Sequence, residues 1–491
     1  MTVFTFSIRN LGLSLMAGGL LLVNSPAADA QTLAPVAMSF EQAQQQLSQA
    51  SNALKSAAYS TQAAQAEAEA NANLWQPVVT LESQALRYQK SLEVPLNGVK
   101  SDLLQLNTAL GTDAEKAVEH LANSLPHDAR IRKRDNVFSA TVNVIQPLYA
   151  GGAIVAAQKA AKSAAELVQA QELGVQDKQR FNLVTTYFAQ VLAQQHFNVT
   201  QAHLAGFEQH LKLAGFEQHL KEAQILEREG MIPHSRTLEV IVARDTALIA
   251  NQRAYHDLLT ASDELSSLLE QHTPIATQTP LFVNLHNLES VEHYVQVALQ
   301  QQPLLQQADA GYKIAEQQVA LAKSERLPKL FAMGSYALDR NDQLLTQPDW
   351  VVGVGLSYTL NASTNRNRAV TAANLRLAAA EHSKQQAQSE VRSAVIRAYN
   401  SMNTARSEFF TLQSSLNAAE ENLRVQQVAF REGEATATAI IDARNALSRA
   451  QLQRAVAAFQ YDTALSALLT ASGQGARFND YILRADAKVM P

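Results

Sequence analysis

Polar and apolar positions along the chain follow two periods. From 350 to 360 the residues Trp350, Val352, Val354, Leu356, Tyr358 and Leu360 alternate with Val351, Gly353, Gly355, Ser357 and Thr359. The first set is apolar with aromatics towards both ends, and the second is mostly small or polar. Successive side chains of a strand point to opposite faces, so this period of two predicts a strand with one apolar face. Phe138, Ala140, Val142 and Val144 alternate in the same way with Ser139, Thr141 and Asn143. Partner strands are expected at about 78–87 and 330–338.

The rest of the chain has the helical period. Segments 153–229 and 365–432 predict helices on the order of 100 Å long at 1.5 Å per residue, lengths that suit coiled-coil packing better than a globular core. In the last helix Ala443, Ala450, Ala457, Ala464 and Ala471 recur every seven residues. Ile440, Leu447, Tyr461 and Leu468 lie three residues ahead of them, with Arg454 as the one interruption. This is the seam of a coiled coil with small residues along one edge, where helices approach closely.

These elements recur in order. Ser39 opens a helical stretch that stops near Pro77, Ser290 another that stops near Pro328, and both distances are 38 residues. Ser39 with Gln42 has the spacing of a capping box. Pro147-Leu148-Tyr149-Ala150-Gly151-Gly152 corresponds to Thr359-Leu360-Asn361-Ala362-Ser363-Thr364, and Arg228-Glu229-Gly230 to Arg431-Glu432-Gly433. From Leu148 to Gly230 is 82 residues and from Leu360 to Gly433 is 73. The excess of nine is a tandem copy: 204–212 (LAGFEQHLK) repeats as 213–221. The chain therefore divides into residues 31–280, a second structural repeat at 281–473 and a tail at 474–491. Nine extra residues turn a helix by about 180°, so the apolar stripe restarts out of phase there.

Composition narrows the setting. Residues 1–30 read as a signal peptide, with Arg9 as basic flank, 11–23 as apolar stretch and Ala28-Asp29-Ala30 as cleavage pattern. There is no cysteine, which excludes disulfides and thiolate chemistry. Charged residues are 17% of the chain and the net charge is −5, a balance that points to no nucleic-acid partner. The twelve histidines are scattered, and no nucleophile motif, phosphate loop or metal-ligand pair stands out. No catalytic residue, metal site or cofactor is expected. An exported chain without a long apolar run is either soluble or crosses a membrane as strands. A membrane strand needs about 9–11 residues, apolar outward and polar inward. Four strands cannot close a barrel, so copies must associate; two would bring eight strands and three would bring twelve. The loop expected at 89–135 contains a helix around 101–123 and ends in the basic cluster Arg130, Arg132, Lys133 and Arg134, read either as a solvated run or as a contact for lipopolysaccharide or a receptor.

On Phe430-Arg431-Glu432-Gly433, Ile440-Ile441-Asp442-Ala443, Leu447 and the alanine heptads up to Gly473, the chain resembles the TolC family of outer-membrane efflux proteins. The resemblance spans nearly all of the mature chain. It implies a mainly α fold with a small membrane β part: a homotrimer whose long coiled-coil helices form an α-barrel in the periplasm, joined to a 12-stranded transmembrane β-barrel with four strands per chain. It further implies a passive exit duct in the bacterial outer membrane, surrounded by outer-membrane lipid. Its partners are a periplasmic adaptor protein and an inner-membrane pump, in an efflux or a type I secretion system. Gly230 and Gly433 fall at the periplasmic tips, and Arg228, Glu229, Gly230, Met231, Arg431, Glu432, Gly433 and Glu434 become the adaptor-docking residues. Asp442 and Glu239, each nine residues past its tip glycine, become the acidic ring of the entrance. The family's tyrosine, arginine and aspartate lock does not carry over, because its positions hold Phe430, Ala435 and Arg236. The rival expectation is a non-conducting periplasmic coiled-coil scaffold.

Overall fold

The computed structural model describes residues 35–106, 112–126, 128–213, 234–285, 288–338, 348–432 and 434–489. The signal segment and the second LAGFEQHLK copy beyond Leu213 lie outside them. The expected helix at 39–77 is two helices, α1 (Phe40–Ala50) and α2 (Asn52–Ala72). Ser39 caps α1 in a full capping box: its Oγ accepts the Gln42 N–H at 3.3 Å, and its own N–H donates to Gln42 Oε1 at 2.9 Å. Twelve residues later Ser51 leaves the helical region and caps α2 by accepting the Leu54 N–H. In the second repeat α7 (Val291–Gln301) and α8 (Pro303–Ser324) are divided twelve residues after Ser290. There the cause is legible: Pro303 holds Gln302 extended and starts the next helix. Ser51 gives no such signal in sequence.

Four strands form one sheet in the order β2 (Val78–Pro95), β3 (Asp128–Tyr149), β6 (Lys329–Ala337), β7 (Trp350–Ser357), with antiparallel neighbours. Its register carries the alternation across all four strands. Leu81, Val142, Tyr336 and Trp350 lie side by side, as do Val79, Val144, Gly334 and Val352. One residue along, on the opposite face, lie Thr80, Asn143, Ser335 and Val351. Among the described residues the outer edges of β2 and β7 are unpaired. β7 stops at Ser357 rather than Leu360 because β6 pairs with it only as far as Lys329. β2 and β3 run well beyond the expected strands. The stretch expected as a loop with one helix is a continuation of their ladder, capped by α3 (Asn97–Leu106) and α4 (Thr112–Ser124).

Two of the strand-to-helix junctions solve one geometric problem differently. After β3, Gly151 and Gly152 take positive φ of 62° and 86° before α5 (Ala153–Leu213). A Cβ on Gly151 would also stand 2.9 Å from Leu327 Cβ. The second repeat has no glycine here. Asn365 instead caps α9 (Arg366–Arg431), its side chain accepting from the Asn367 and Arg368 N–H groups. α5 is 61 residues long and α9 is 66, about 90 and 100 Å. Their partners α6 (His234–Leu268) and α10 (Ala437–Ala471) are each 35 residues long. In α10 Ile440, Ala443, Ala450, Ala457, Tyr461 and Leu468 are buried. Arg454, the interruption of that seam, lays its guanidinium over the Phe409 ring at 4.3 Å, a contact that keeps a cation in a helix seam.

The largest side chains are buried midway, where short strands cross the helices. β1 (Val36–Met38) pairs parallel with β4 (Ile275–Thr277), and β5 (Leu281–Val283) antiparallel with β8 (Ala487–Val489) of the tail. Phe188 is packed among Phe40, Tyr187, Phe282 and Phe478, with ring centroids 5.4–6.0 Å away; Phe478 opens the short tail helix α11 (Phe478–Leu483). The Tyr187 hydroxyl donates to Met38 O at 2.8 Å and accepts from the Gln278 and Thr279 N–H groups, so one phenol ties the C-terminal ends of β1 and β4 together.

Asp462 is fully buried in this layer. Its Oδ2 accepts the Phe282 N–H at 3.3 Å, and its Oδ1 has no hydrogen-bond partner. Burial pushes its carboxyl well above the usual range, against the smaller opposite pull of that N–H. The folded state thus holds the proton more tightly than the unfolded chain, whose aspartates titrate near pH ~3.9. The contribution to stability is complete below that pH and is lost as pH rises towards the folded value. Asp462→Asn keeps an oxygen for Phe282 and has no charge to bury. We expect it to melt above the wild type at pH 7–9, with the gap closing as pH falls to about 4. Melting curves across that range check this; a gap independent of pH would show that the gain has another source.

Candidate functional site

The chain offers function at two places, the far end of the long helices and the outer face of the sheet. At the helix end α9 finishes at Arg431, whose Nε reaches back to Gln427 O at 3.4 Å. Glu432 caps it, and the Glu434 and Ala435 N–H groups both bond Ala429 O, at 2.8 and 3.2 Å. Thr436 then starts α10, its side chain accepting from the Ala439 N–H. Arg431, Glu432 and Glu434 are exposed. Gly433 and the whole first-repeat set Arg228, Glu229, Gly230 and Met231 lie outside the described residues.

Asp442 is exposed on α10 while its neighbours Ile440 and Ala443 are buried against the bundle. It stands five residues into the helix, past the first turn where the helix dipole favours an acid. Its place is therefore not accounted for by helix-start electrostatics. Glu239 has the same offset from the start of α6.

Sequence reasoning did not find the groups packed between α5 and α10 just inside this end. The Arg444 guanidinium lies against Gly206, where a Cβ would come within 3.2 Å of three of its atoms. Its Nε has no hydrogen-bond partner and burial pulls its pKa down. His203 stands edge-on to Phe207 at 4.8 Å and is held below the ordinary histidine range by burial. Gly206 and Phe207 belong to the first LAGFEQHLK copy. The only signal available was that an arginine follows a seam alanine, which does not tell a buried guanidinium from a solvated one.

At the sheet, Trp350, Val352, Val354 and Leu356 expose 65–77% of their surface, and Val79, Leu81 and Phe138 expose 54–67%. Aromatic and branched side chains thus cover one face of an open sheet, with no layer of the described residues over them. No described helix is long and apolar enough to cross a membrane.

A profile of the outer membrane efflux protein family matches residues 294–474, from the second short helix pair to the end of the heptads. The second half of the chain thus resembles this family. A search of curated proteins finds no match. Solved structures share the fold at low identity. The CmeC outer membrane channel of Campylobacter jejuni superposes with a TM-score of 0.70 at 14% identity, over 91% of this chain and 90% of CmeC. VceC of Vibrio cholerae gives 0.66 at 14% identity over 89% and 96%, and the open state of MtrE of Neisseria gonorrhoeae gives 0.65 at 14% over 89% and 89%. Channels of this family sit in the outer membrane with their helical part in the periplasm.

Proposed function

We propose that three copies of the chain close their sheets edge to edge into a twelve-stranded barrel and form a passive exit duct for a periplasmic adaptor and an inner-membrane pump. The observation that carries the reading is the pair of open edges on an apolar-faced sheet. Unpaired N–H and C=O groups are not tolerated in lipid, and pairing β7 of one copy with β2 of the next removes every edge. The polar face of Thr80, Asn143 and Ser335 then lines the lumen. The long helices continue that lumen through the periplasm, and Arg431, Glu432, Gly433 and Glu434, with Arg228, Glu229, Gly230 and Met231 of the first repeat, are the adaptor-docking residues.

Asp442, with Glu239 as its first-repeat counterpart, forms the acidic ring at the entrance. Three copies of an exposed carboxylate around one axis favour cations in a constriction. Single-channel recording in planar bilayers tests both levels. Wild type is expected to give cation-preferring steps, and Asp442→Ala to lose part of that preference and its block by multivalent cations. Unchanged selectivity removes Asp442 from the entrance. A protein that stays soluble and never inserts supports the scaffold alternative instead.

A further inference from the structure

A groove of about 1220 Å³ runs between α9 and α10, room for a drug-sized molecule. Leu412, Leu452 and Val456 give it an apolar patch, and Asn403 and Asn445 add amides. Glu408 and Arg449 bring it one charge of each sign. Both are exposed, and neither side chain makes a hydrogen bond or ion pair with a described residue. They stand at different levels of the bundle. α9 and α10 run antiparallel, and the Arg454 guanidinium over the Phe409 ring sets their level. Glu408 therefore faces position 455, about six residues or about 9 Å along the axis from Arg449. The groove opens on a face of the helical layer and not at its edge, where another copy would join. α10 has α9 on one flank and α5 on the other, and the groove reaches His203 of α5. Met402, Ala405 and Phe409 of α9 turn to the midway core, whereas Thr404, Ser407 and Thr411 line the groove. The midway layer thus covers one face of the long helices, and the groove lies on the other. On α10 the groove residues Arg449, Val456 and Gln460 share one helical stripe with Asp442. The groove begins about one turn past that acid, at Asn445.

We propose that this groove is a ligand station on the wall of the bore for amphipathic zwitterions. An ammonium group meets Glu408, a carboxylate meets Arg449, and the apolar body between them lies over Leu412, Leu452 and Val456. A guanidinium matches a carboxylate in a two-point contact. Charge complementarity selects this occupant, because a simple cation or a simple anion leaves one of the two groove charges unmatched. Exposed ion pairs contribute little each, so the station is weak, and a ligand held weakly can leave again. The place on the bore rests on the duct reading; the binding rests on the groove alone.

The test uses the full chain in lipid nanodiscs at low salt, with binding read by saturation-transfer NMR. The probe is a biphenyl with an aminomethyl group at one end and a carboxylic acid at the other. Its carboxamide keeps only the cation, and its N-acetyl derivative keeps only the anion. Each derivative is expected to bind wild type about threefold to fivefold more weakly than the zwitterion. Glu408→Gln is expected to weaken the zwitterion by a similar factor and to leave the N-acetyl derivative unchanged, since that ligand has no ammonium to lose. Arg449→Gln is expected to weaken the zwitterion and to leave the carboxamide unchanged. The charge swap Glu408→Arg with Arg449→Glu is expected to return zwitterion affinity to within about twofold of wild type, the ligand lying reversed. Lys488→Gln, on β8 of the tail, is the neutral control, and circular dichroism checks folding. Equal affinity for all three ligands overturns the proposal, as does a loss in Glu408→Gln that is the same for the N-acetyl derivative. So does a charge swap that fails to recover affinity while folded. No binding by wild type also overturns it, the result expected if another copy fills the groove. Conductance of the wild type reads the duct separately, so either reading can fail alone.

Discussion

Val354→Arg is expected to block stable insertion of the protein into lipid while leaving the helical part able to fold. Val354 stands midway between Trp350 and Tyr358 on the apolar face of β7, 67% exposed, beside Ala332 of β6. In the proposed barrel that face meets hydrocarbon, where an arginine near the midplane of a β-barrel costs about 2–4 kcal/mol. The cost recurs in every copy, and β7 is also an edge on which closure depends. Ser335→Arg is the control. Ser335 lies on the other face, beside Asn143 and Val351, where water lines the duct and the charge stays solvated. Urea titration of folding into phosphatidylcholine vesicles, read through the two tryptophans, measures both variants. A large loss for Val354→Arg and a small one for Ser335→Arg is the expected result. Equal losses would sink the assignment of faces, since likeness to the family says nothing about which side of each strand meets lipid.

Phe188→Ala carries the largest expected loss in the helical part. Phe188 is fully buried, and its ring meets four others drawn from α1, α5, β5 and the tail. Removing a buried phenyl ring costs about 3–5 kcal/mol, combining lost transfer energy with the cavity left behind. Phe282 and Phe478 both lean on this ring, so the damage should reach β5, β8 and α11 first. Chemical denaturation is expected to show a lower midpoint at unchanged slope, because the surface exposed on unfolding is unchanged. Hydrogen exchange should show earlier opening of 478–489 than in wild type. A shift below about 1 kcal/mol would mean that the aromatic layer is not where the helical part gains its cohesion.

Much of the fold was legible because its elements are long and regular. Heptad alanines in α10 and the strict alternation in β7 repeat a period often enough to outweigh local exceptions. The lipid face could be read from that same alternation, since a one-residue shift of register would have turned every apolar side chain inward. The misreadings fell where pairing, not period, decides. The basic stretch 130–134 looks like a solvated loop because its residues are polar on both sides, yet backbone pairing with 89–93 extends the ladder through it. The break at Ser51 was invisible for a related reason. Serine can cap a helix or ride within one, and only its repeat partner, marked by Pro303, shows which applies.

By itself the sequence determined the duplication, the helix and strand types, the apolar stripe of each element and the need for more than one copy, because these depend on residue type and spacing along one chain. The tertiary structure alone decided what meets across long separations. It brought the tail onto β5, buried Asp462 beneath Phe282, and laid Arg454 over Phe409 and Arg444 over Gly206. These contacts join residues tens to hundreds of positions apart. Local periodicity has no term for them, and the free energy that selects them comes from packing and desolvation, which exist only once the chain has folded.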